Sequence, residues 1–564
     1  MVRYPQLKQL AKEYSALVEA RDGLLTIKVG DRYVHSLYSP GKEALRLLEP
    51  LKSCDPKETF VIIIGAGLGY HVELLEKEGF ERGVVIEQHP EVAAFFQKVY
   101  ELPSSFYWIG PEQTEEALDG IFALLDFSRI RFVKTIILRG SYELSDYRAF
   151  ERRIQRLLEI KLGDFSTRLK FEEIWLIHMI RNLENLPFAT PVNRLFLRQR
   201  GIPVLLVSAG PSLRESLPAI RRVASSFLVV AVDTALLPLY EAGIVPDVVY
   251  SLDAQVHTLE DFVGIDEEYL GRVRLIYDVV VHPETPRWFR RSSPAHEQYV
   301  ATTAHVDIDP QGNPFLLKNE FVQWIELQMN TRLGDVETGG SVSTSLFHAS
   351  FLLGGNPLIL VGQDLAFSYQ TTHVASTSHY YRYFPLGNRF RSLNTIFWEA
   401  LLSRRLQKQR GIHEEVLSDF VLSNFKGWFE VSAQRLRDGT GVRCVNATRE
   451  GVLMEGFETM DLDDAGRRFG IAGLHKEKMF VSERISGEAV KGVIFNLKKL
   501  SDEIRGLPIN HGFFEALQRF GKDFLTRYYL RERMLFERYE NFDILSLERK
   551  TFRLIKAIEG LGHE

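Results

Sequence analysis

Short apolar runs alternate with helix-period segments through most of the chain. Pro203 to Val207 is wholly apolar, the pattern of a strand buried on both faces of a parallel sheet. Phe227 to Asp233 and Asp247 to Asp253 repeat that pattern, as do Thr59 to Ile64, Gly83 to Glu87, Thr135 to Leu138, Arg274 to Val281 and Pro357 to Val361. Between them, Leu213, Leu217, Ile220 and Val223 recur at helical spacing, and Pro211 and Ser212 suit the first turn of that helix.

Helices are also predicted over Tyr4 to Ala20, Pro40 to Leu51, His257 to Leu270, Glu284 to Arg291 and Leu346 to Leu353, with a strand over Leu24 to Tyr33. Tyr142 to Asn185 reads as one long helix carrying Ile154, Leu157, Leu158 and Leu162 on one face. From Phe457 onward the pattern is mostly helical, notably over Lys491 to Ile504 and Phe513 to Lys556. The fold class is therefore α/β. We expect a Rossmann-like domain over 1–150, a helical connector over 151–191, a central domain with a mostly parallel sheet over 192–456, and a helical domain over 457–564.

Composition narrows this little. Apolar residues at 45% and charged residues at 25% of 564 are those of a soluble globular protein. A net charge of -5 gives no general attraction to nucleic acid. Arg519, Lys522, Arg527, Arg531 and Arg533 interleave with Phe520, Phe524, Tyr528 and Tyr529, but Asp523, Glu532, Glu537 and Glu540 are mixed among them, so a solvated bundle is favoured. Cys54 and Cys444 provide neither a disulfide framework nor metal-ligand spacing. Met1 to Asp22 is charged throughout, and the low-charge run from Ser341 to Gly362 is broken by glycines and Pro357, so no signal peptide or membrane span is expected. A cytoplasmic location follows as an expectation.

The chemistry gathers at strand ends. Ser208-Ala209-Gly210-Pro211-Ser212-Leu213 leaves a buried strand through small residues and enters a helix, a place where unpaired N–H groups favour an anion. The next two strands end in Asp233-Thr234 and Ser251-Leu252-Asp253, at the same sheet edge. A plain α/β core with polar strand ends is the alternative. Thr338-Gly339-Gly340-Ser341 opens a second helix in the same manner. Pro357 to Val361 then ends in Gly362-Gln363-Asp364, and a hydroxyl-rich loop carries His373, nine residues beyond Asp364. Asp307-Ile308-Asp309-Pro310 has the spacing of two metal-holding acids, but no nucleotide motif precedes it, and no metal is assigned.

In the N-terminal part, T-F-V-I-I-I-G-A-G-L-G-Y places Gly65, Gly67 and Gly69 after a strand, and G-V-V-I-E ends the following strand in Glu87. Over about thirty residues this resembles the first motif of Rossmann-like methyltransferases, in which the acid takes ribose hydroxyls. No polar catalytic motif follows Thr135 to Leu138. A scaffold that keeps the glycines for packing, with only a vestigial nucleotide site, is the favoured alternative.

The order S-A-G-P-S-L, V-D-T-A-L, P-D-V-V-Y-S-L-D, T-G-G-S-V and G-Q-D-L-A-F with T-H following, closed by V-R-C-V-N-A-T-R-E-G-V-L-M-E-G, resembles the motility-associated factor (Maf) flagellin glycosyltransferases over about Val192 to Gly456. The resemblance implies transfer of a nonulosonic acid, pseudaminic or legionaminic in type, from a CMP-activated donor to serine or threonine of flagellin, with no membrane insertion. The same order is similar to bacterial sialyltransferases, although Asp233 stands where those offer an amide. On that resemblance the donor would meet Ser208, Gly210, Pro211, Ser212, Asp233, Thr234, Thr338, Gly339, Gly340, Ser341, Gly362 and Gln363. His373 would act as base or as donor to the leaving phosphate, and Asp364 or Asp253 would orient it or serve as the base. No cofactor beyond the CMP-sugar substrate is implied. The same superfamily label covers 6-hydroxymethylpterin diphosphokinases, which use ATP and magnesium; no lysine stands in the Ser208 to Leu213 turn, although Arg214, Arg221 and Arg222 are near. A non-catalytic flagellin-binding assembly factor is the third reading.

Overall fold

A computed structural model describes residues 14–123, 125, 130–198, 200–293, 295–308, 314–510, 512–539 and 543–562. The chain forms two compact units, Met1–Lys170 with Asp307–Phe315, and Phe171–Val306 with Leu316–Glu564. N-terminal and central α/β sheets, mostly parallel, precede a largely helical C-terminal region.

The first unit opens with a three-stranded sheet, β1 (Leu17–Glu19), β2 (Leu25–Val29) and β3 (Arg32–Tyr33), in which neighbours pair antiparallel. This corrects two expectations. The part of the predicted Tyr4 to Ala20 helix that is described is a turn followed by β1, because Leu17 to Glu19 finds hydrogen-bond partners in β2; residues 4–13 lie outside the described residues. The predicted strand over Leu24 to Tyr33 is a hairpin, split at Gly30, where φ is +57°.

Four parallel strands follow, β4 (Thr59–Ile64), β5 (Gly83–Ile86), β6 (Phe106–Ile109) and β7 (Phe132–Ile137), in the order β6-β5-β4-β7. Strand β4 is apolar without alternation because it is buried on both faces: Val61 and Ile63 enter one core, Phe60, Ile62 and Ile64 the other. The long predicted helix is Arg148–Asn182.

The second unit is built on strands β8 (Thr190–Pro191), β9 (Ile202–Val207), β10 (Leu228–Val232), β11 (Val248–Ser251), β12 (Arg274–Asp278), β13 (Gln298–Ile308), β14 (Pro314–Lys318), β15 (Asp335–Glu337) and β16 (Gly355–Val361). A hairpin, β17 (Gln407–Arg410) with β18 (Glu415–Ser418), stands apart, and β19 (Cys444–Asn446) and β20 (Glu458–Thr459) complete the main sheet. Its order is β14-β13-β12-β11-β10-β9-β16-β19-β20, with β8 and β15 also on β13. Strands β9 to β13 are mutually parallel, and β9, β16, β19 and β20 are likewise parallel.

The helix predicted after the first turn forms as Leu213–Val223, burying Leu213, Ser216, Ala219, Ile220 and Val223. One predicted helix breaks: His257 to Leu270 is a 3₁₀ segment, Val256–Phe262, and a short helix, Glu267–Leu270, separated at Gly264, where φ is +87°. On one face of the sheet, Val249, Leu275, Tyr277 and Val300 share a core with Leu497 and Ile504 of helix Gly487–Arg505 and with Leu554 of helix Ile544–Glu559. Phe513 to Lys556 is divided into helices Phe513–Gln518, Asp523–Tyr528, Leu530–Tyr539 and Ile544–Glu559. No described helix is long and apolar enough to cross a membrane.

Candidate functional site

Each parallel sheet reverses its strand order once beside its first long strand, between β4 and β7 and between β9 and β16. In open α/β sheets such a reversal opens a crevice at the carboxyl ends of the strands. Both glycine turns sit there.

The N-terminal crevice is filled by the protein's own groups. Gly65, Gly67 and Gly69 have φ of +92°, +52° and +81°, a region glycine enters without strain. A Cβ on Gly67 would strike the His35 ring, and one on Gly65 would meet Leu138 and Ser141. The Nε2 of His35 accepts from the Leu68 N–H at 2.8 Å. Glu87, fully buried, accepts from the Ala66 N–H, the His89 N–H and the Tyr147 hydroxyl, each at 2.9 Å, and from the Ser141 hydroxyl. The carboxylate expected to take ribose hydroxyls is thus saturated by protein donors.

In the second unit the ends of β9 and β16 are tied together. Gly210 N–H donates to the Gly362 carbonyl at 2.8 Å, and Ser212 donates to Asp364 from its amide at 3.0 Å and its hydroxyl at 2.7 Å. This corrects the expectation that the turn leaves those amides unpaired: a buried carboxylate from the neighbouring strand end has taken the place foreseen for an external anion. Gly210 is required because a Cβ there would run into the Asp364 carboxyl and the Gly362 carbonyl. Gly362 turns with φ of +67°. Burial pushes the Asp364 carboxyl up to about 7, opposed by the bonds from Ser212.

His373 is brought to the same place, since the N–H of adjacent Val374 donates to the Ala209 carbonyl at 3.0 Å. Its ring stacks on His379 with centroids 4.2 Å apart and planes at 13°, and its Nδ1 lies 3.1 Å from the Thr372 hydroxyl. Burial, then the neighbouring His379, Arg382 and Arg404, drive His373 down to about 3; burial and Arg382 bring His379 to about 4. Both rings are neutral at pH 7.

The carboxylates assigned beside His373 face other partners. Asp364 is engaged by Ser212, and Asp253 accepts from the Gln255 N–H at 2.9 Å and its side-chain amide at 3.2 Å. Neither is hydrogen-bonded to His373 among the described residues. Asp253 acts on His379 through its charge. Asp233, buried at the end of β10, accepts from Thr234 and, at 2.8 Å, from the Ser251 hydroxyl; burial and nearby Asp261 push it up to about 7.

Thr338 to Ser341 does open helix Val342–Leu352, but it caps itself. Gly339 and Ser341 N–H groups donate to the Thr344 hydroxyl at 2.9 and 3.3 Å, and Gly340 N–H to the Thr338 hydroxyl at 3.2 Å. Gly339 lies against Trp428. No described hydrogen bond links this segment to Ser212, Asp364 or His373.

Two of the expected residues keep unpaired polar atoms. Among the described residues, Ser208 and Gln363, 5% and 7% exposed, hold a hydroxyl oxygen and a side-chain carbonyl oxygen without a partner, at the ends of β9 and β16, and Asn446 on β19 keeps a buried, unpartnered Nδ2. Sequence reasoning missed a cavity of about 260 Å³ lined by Pro211, Arg214, Tyr369, Gln370, Thr371, Val374, Ala375, Tyr380, Asn394 and Phe397. Pro211 belongs to the expected turn, and Tyr369, Gln370, Thr371, Val374 and Ala375 to the hydroxyl-rich loop around His373; that Arg214, Tyr380, Asn394 and Phe397, from three helices, meet them there is not legible in the sequence. Of the Asp307-to-Pro310 pair of acids, Asp309 lies outside the described residues; among the described residues no group of three His, Cys, Asp or Glu converges as for a metal.

Three comparisons place the chain among known proteins. Residues 177–370 match the family model described as 6-hydroxymethylpterin diphosphokinase MptE-like. Two uncharacterised proteins of Treponema pallidum (strain Nichols) are similar, one 27% identical over 222 residues, which is 37% of this chain and 74% of that protein. The other is 28% identical over 130 residues, covering 21% of this chain and 61% of the relative's own length. The solved structure of the MAf glycosyltransferase from Magnetospirillum magneticum AMB-1 is similar with a TM-score of 0.55 at 15% identity, covering 98% of this chain and 88% of that one. At that identity the likeness is one of fold.

Proposed function

We propose that the central unit is a glycosyltransferase that moves a nonulosonic acid, of the pseudaminic or legionaminic type, from a CMP-activated donor to serine or threonine of flagellin. The observation that carries this reading is the pair of buried, unpartnered atoms, Ser208 Oγ and Gln363 Oε1, at the strand-order reversal between β9 and β16. Buried polar atoms in native folds are nearly always bonded, so water or the polar groups of a ligand admitted to this crevice would supply their partners. The fold likeness to a glycosyltransferase over 98% of the chain, together with the motif order in the sequence, favours a nucleotide-sugar as that ligand.

In this reaction the bond between the anomeric carbon and the CMP phosphate oxygen breaks, and CMP leaves with the electron pair. The acceptor hydroxyl oxygen bonds to the anomeric carbon and gives its proton to a base. His373 is that base: it is neutral, and beside Ala209 it borders the turn. A donor phosphate nearby raises its proton affinity by its negative charge. Asp364 holds the turn through Ser212, and Asp233 holds the ends of β10 and β11 through Thr234 and Ser251, so both act as positioning residues.

A second reading, diphosphate transfer from ATP to a hydroxymethylpterin, is favoured by the family model matched over residues 177–370. Thermal shift of the whole protein separates the two. Stabilisation by CMP alone, abolished by Gln363→Ala, supports the glycosyltransferase; stabilisation by ATP with magnesium and none by CMP supports the kinase and removes His373 from its assigned role.

A further inference from the structure

The proposed donor carries a carboxylate, and the N–H groups named for it in the two small-residue turns are taken: those of Gly210 and Ser212 by Gly362 and Asp364 just beyond β16, and those of Gly339, Gly340 and Ser341 by hydroxyls of their own segment. A cation stands free beside the first turn. Arg214, exposed on the first turn of helix Leu213–Val223, makes neither an ion pair nor a hydrogen bond among the described residues. It lines the 260 Å³ cavity whose wall includes Tyr369, Tyr380 and Phe397, with Gln370 and Asn394.

The wall is preformed. The Tyr380 and Phe397 rings lie 5.2 Å apart, Phe384 supports Tyr380 at 5.5 Å, and the Tyr369 hydroxyl is held by Glu215 at 2.6 Å. Aromatic faces take the apolar C–H faces of a sugar ring, and amides take its hydroxyls. A guanidinium binds a carboxylate with two parallel hydrogen bonds. A neutral sugar would leave the Arg214 fork without a counter-charge.

Resting on the glycosyltransferase reading, we infer that this cavity is the subsite for the carboxylated sugar of the donor, with Arg214 as the carboxylate-recognition residue. A nucleotide phosphate is the other source of an anion that suits the same fork, and the test separates the two.

The full-length protein would be titrated by ligand-observed NMR with N-acetylneuraminate, with the neutral N-acetylmannosamine, and with CMP, and the titrations repeated on Arg214→Met and Phe397→Leu. Binding of the acid sugar, weakened about tenfold or more in Arg214→Met, with CMP binding unchanged and no binding of the neutral sugar, supports the subsite. Because the Arg214 side chain has no partner to lose, the variant should melt with the wild type. Phe397→Leu, which keeps the charge, should weaken the sugar without moving CMP. The assignment is overturned if Arg214→Met binds the acid sugar as the wild type does, if it loses CMP instead, or if neutral and acid sugars bind alike. Failure of the acid sugar with CMP still bound removes the subsite alone; failure of CMP as well removes the glycosyltransferase reading beneath it.

Discussion

Ser212 donates twice to Asp364, from its amide at 3.0 Å and from its hydroxyl at 2.7 Å, and so clamps the ends of two adjacent strands 152 residues apart in sequence. Those strands flank the reversal of the central sheet, so the clamp sets the width of the crevice in which Ser208 and Gln363 stand. Ser212→Ala keeps the amide bond and removes the hydroxyl bond from a buried carboxyl. The expected loss is about 1–3 kcal/mol of stability, read as a lower urea midpoint with unchanged slope. An unaltered midpoint would mean that Asp364 finds another donor and that the clamp is not set by Ser212.

Asp364 also makes stability depend on pH. Its folded value near 7 stands above its ordinary 3.8, so its favourable contribution is fully present below about pH 3.8 and is lost as pH rises through 7. Asp364→Asn does not titrate. The difference in melting temperature, wild type minus Asp364→Asn, should therefore fall between pH 5 and pH 8. A difference that is flat or rises over that interval would show that Asp364 is ionised throughout, with Ser212 outweighing burial.

The stacked imidazoles make a separate prediction. The charge of a protonated His379 helps to hold His373 low, so His379→Phe, which retains an aromatic ring in place of the one stacked at 4.2 Å, should move the acid limb of the pH–rate profile for CMP release to higher pH. His373→Ala should lower that rate by about 100-fold or more with the fold intact. A variant that retains wild-type turnover would take His373 out of the chemistry, whatever its place beside Ala209.

These relationships mark what the sequence discloses. The buried strands were legible because parallel sheets covered on both faces demand uninterrupted apolar runs, as in β4 and β9. The turn at Gly210 was legible too, as a small-residue exit into a helix. What filled it was not, since the Asp364 that occupies its amides arrives from another strand, and nothing local to Ser212 announces it. Helical spacing misled where tertiary partners decided the outcome: Leu17–Glu19 pairs with β2, and Gly264 splits the segment after Val256. The Arg214 cavity depends on side chains from distant positions, so only the fold assembles it.

The N-terminal glycine turn offers the sharpest contrast between motif and structure. Its sequence resembles a nucleotide-binding turn, yet Glu87 receives hydrogen bonds from Ala66, His89, Tyr147 and Ser141 and is fully buried. A carboxylate so placed stabilises the unit, because the Ala66, Ser141 and Tyr147 donors around it are buried and would be stranded by its removal. S-adenosylmethionine and NAD should therefore leave the melting temperature unchanged. Glu87→Ala should cost about 3 kcal/mol or more, while CMP continues to stabilise whatever protein remains folded. If either nucleotide raises the melting temperature, and Glu87→Ala abolishes that shift, the acid must leave its internal donors to meet a ligand. The turn would then be a working site, one that opens against the packing of His35, Leu138 and Ser141.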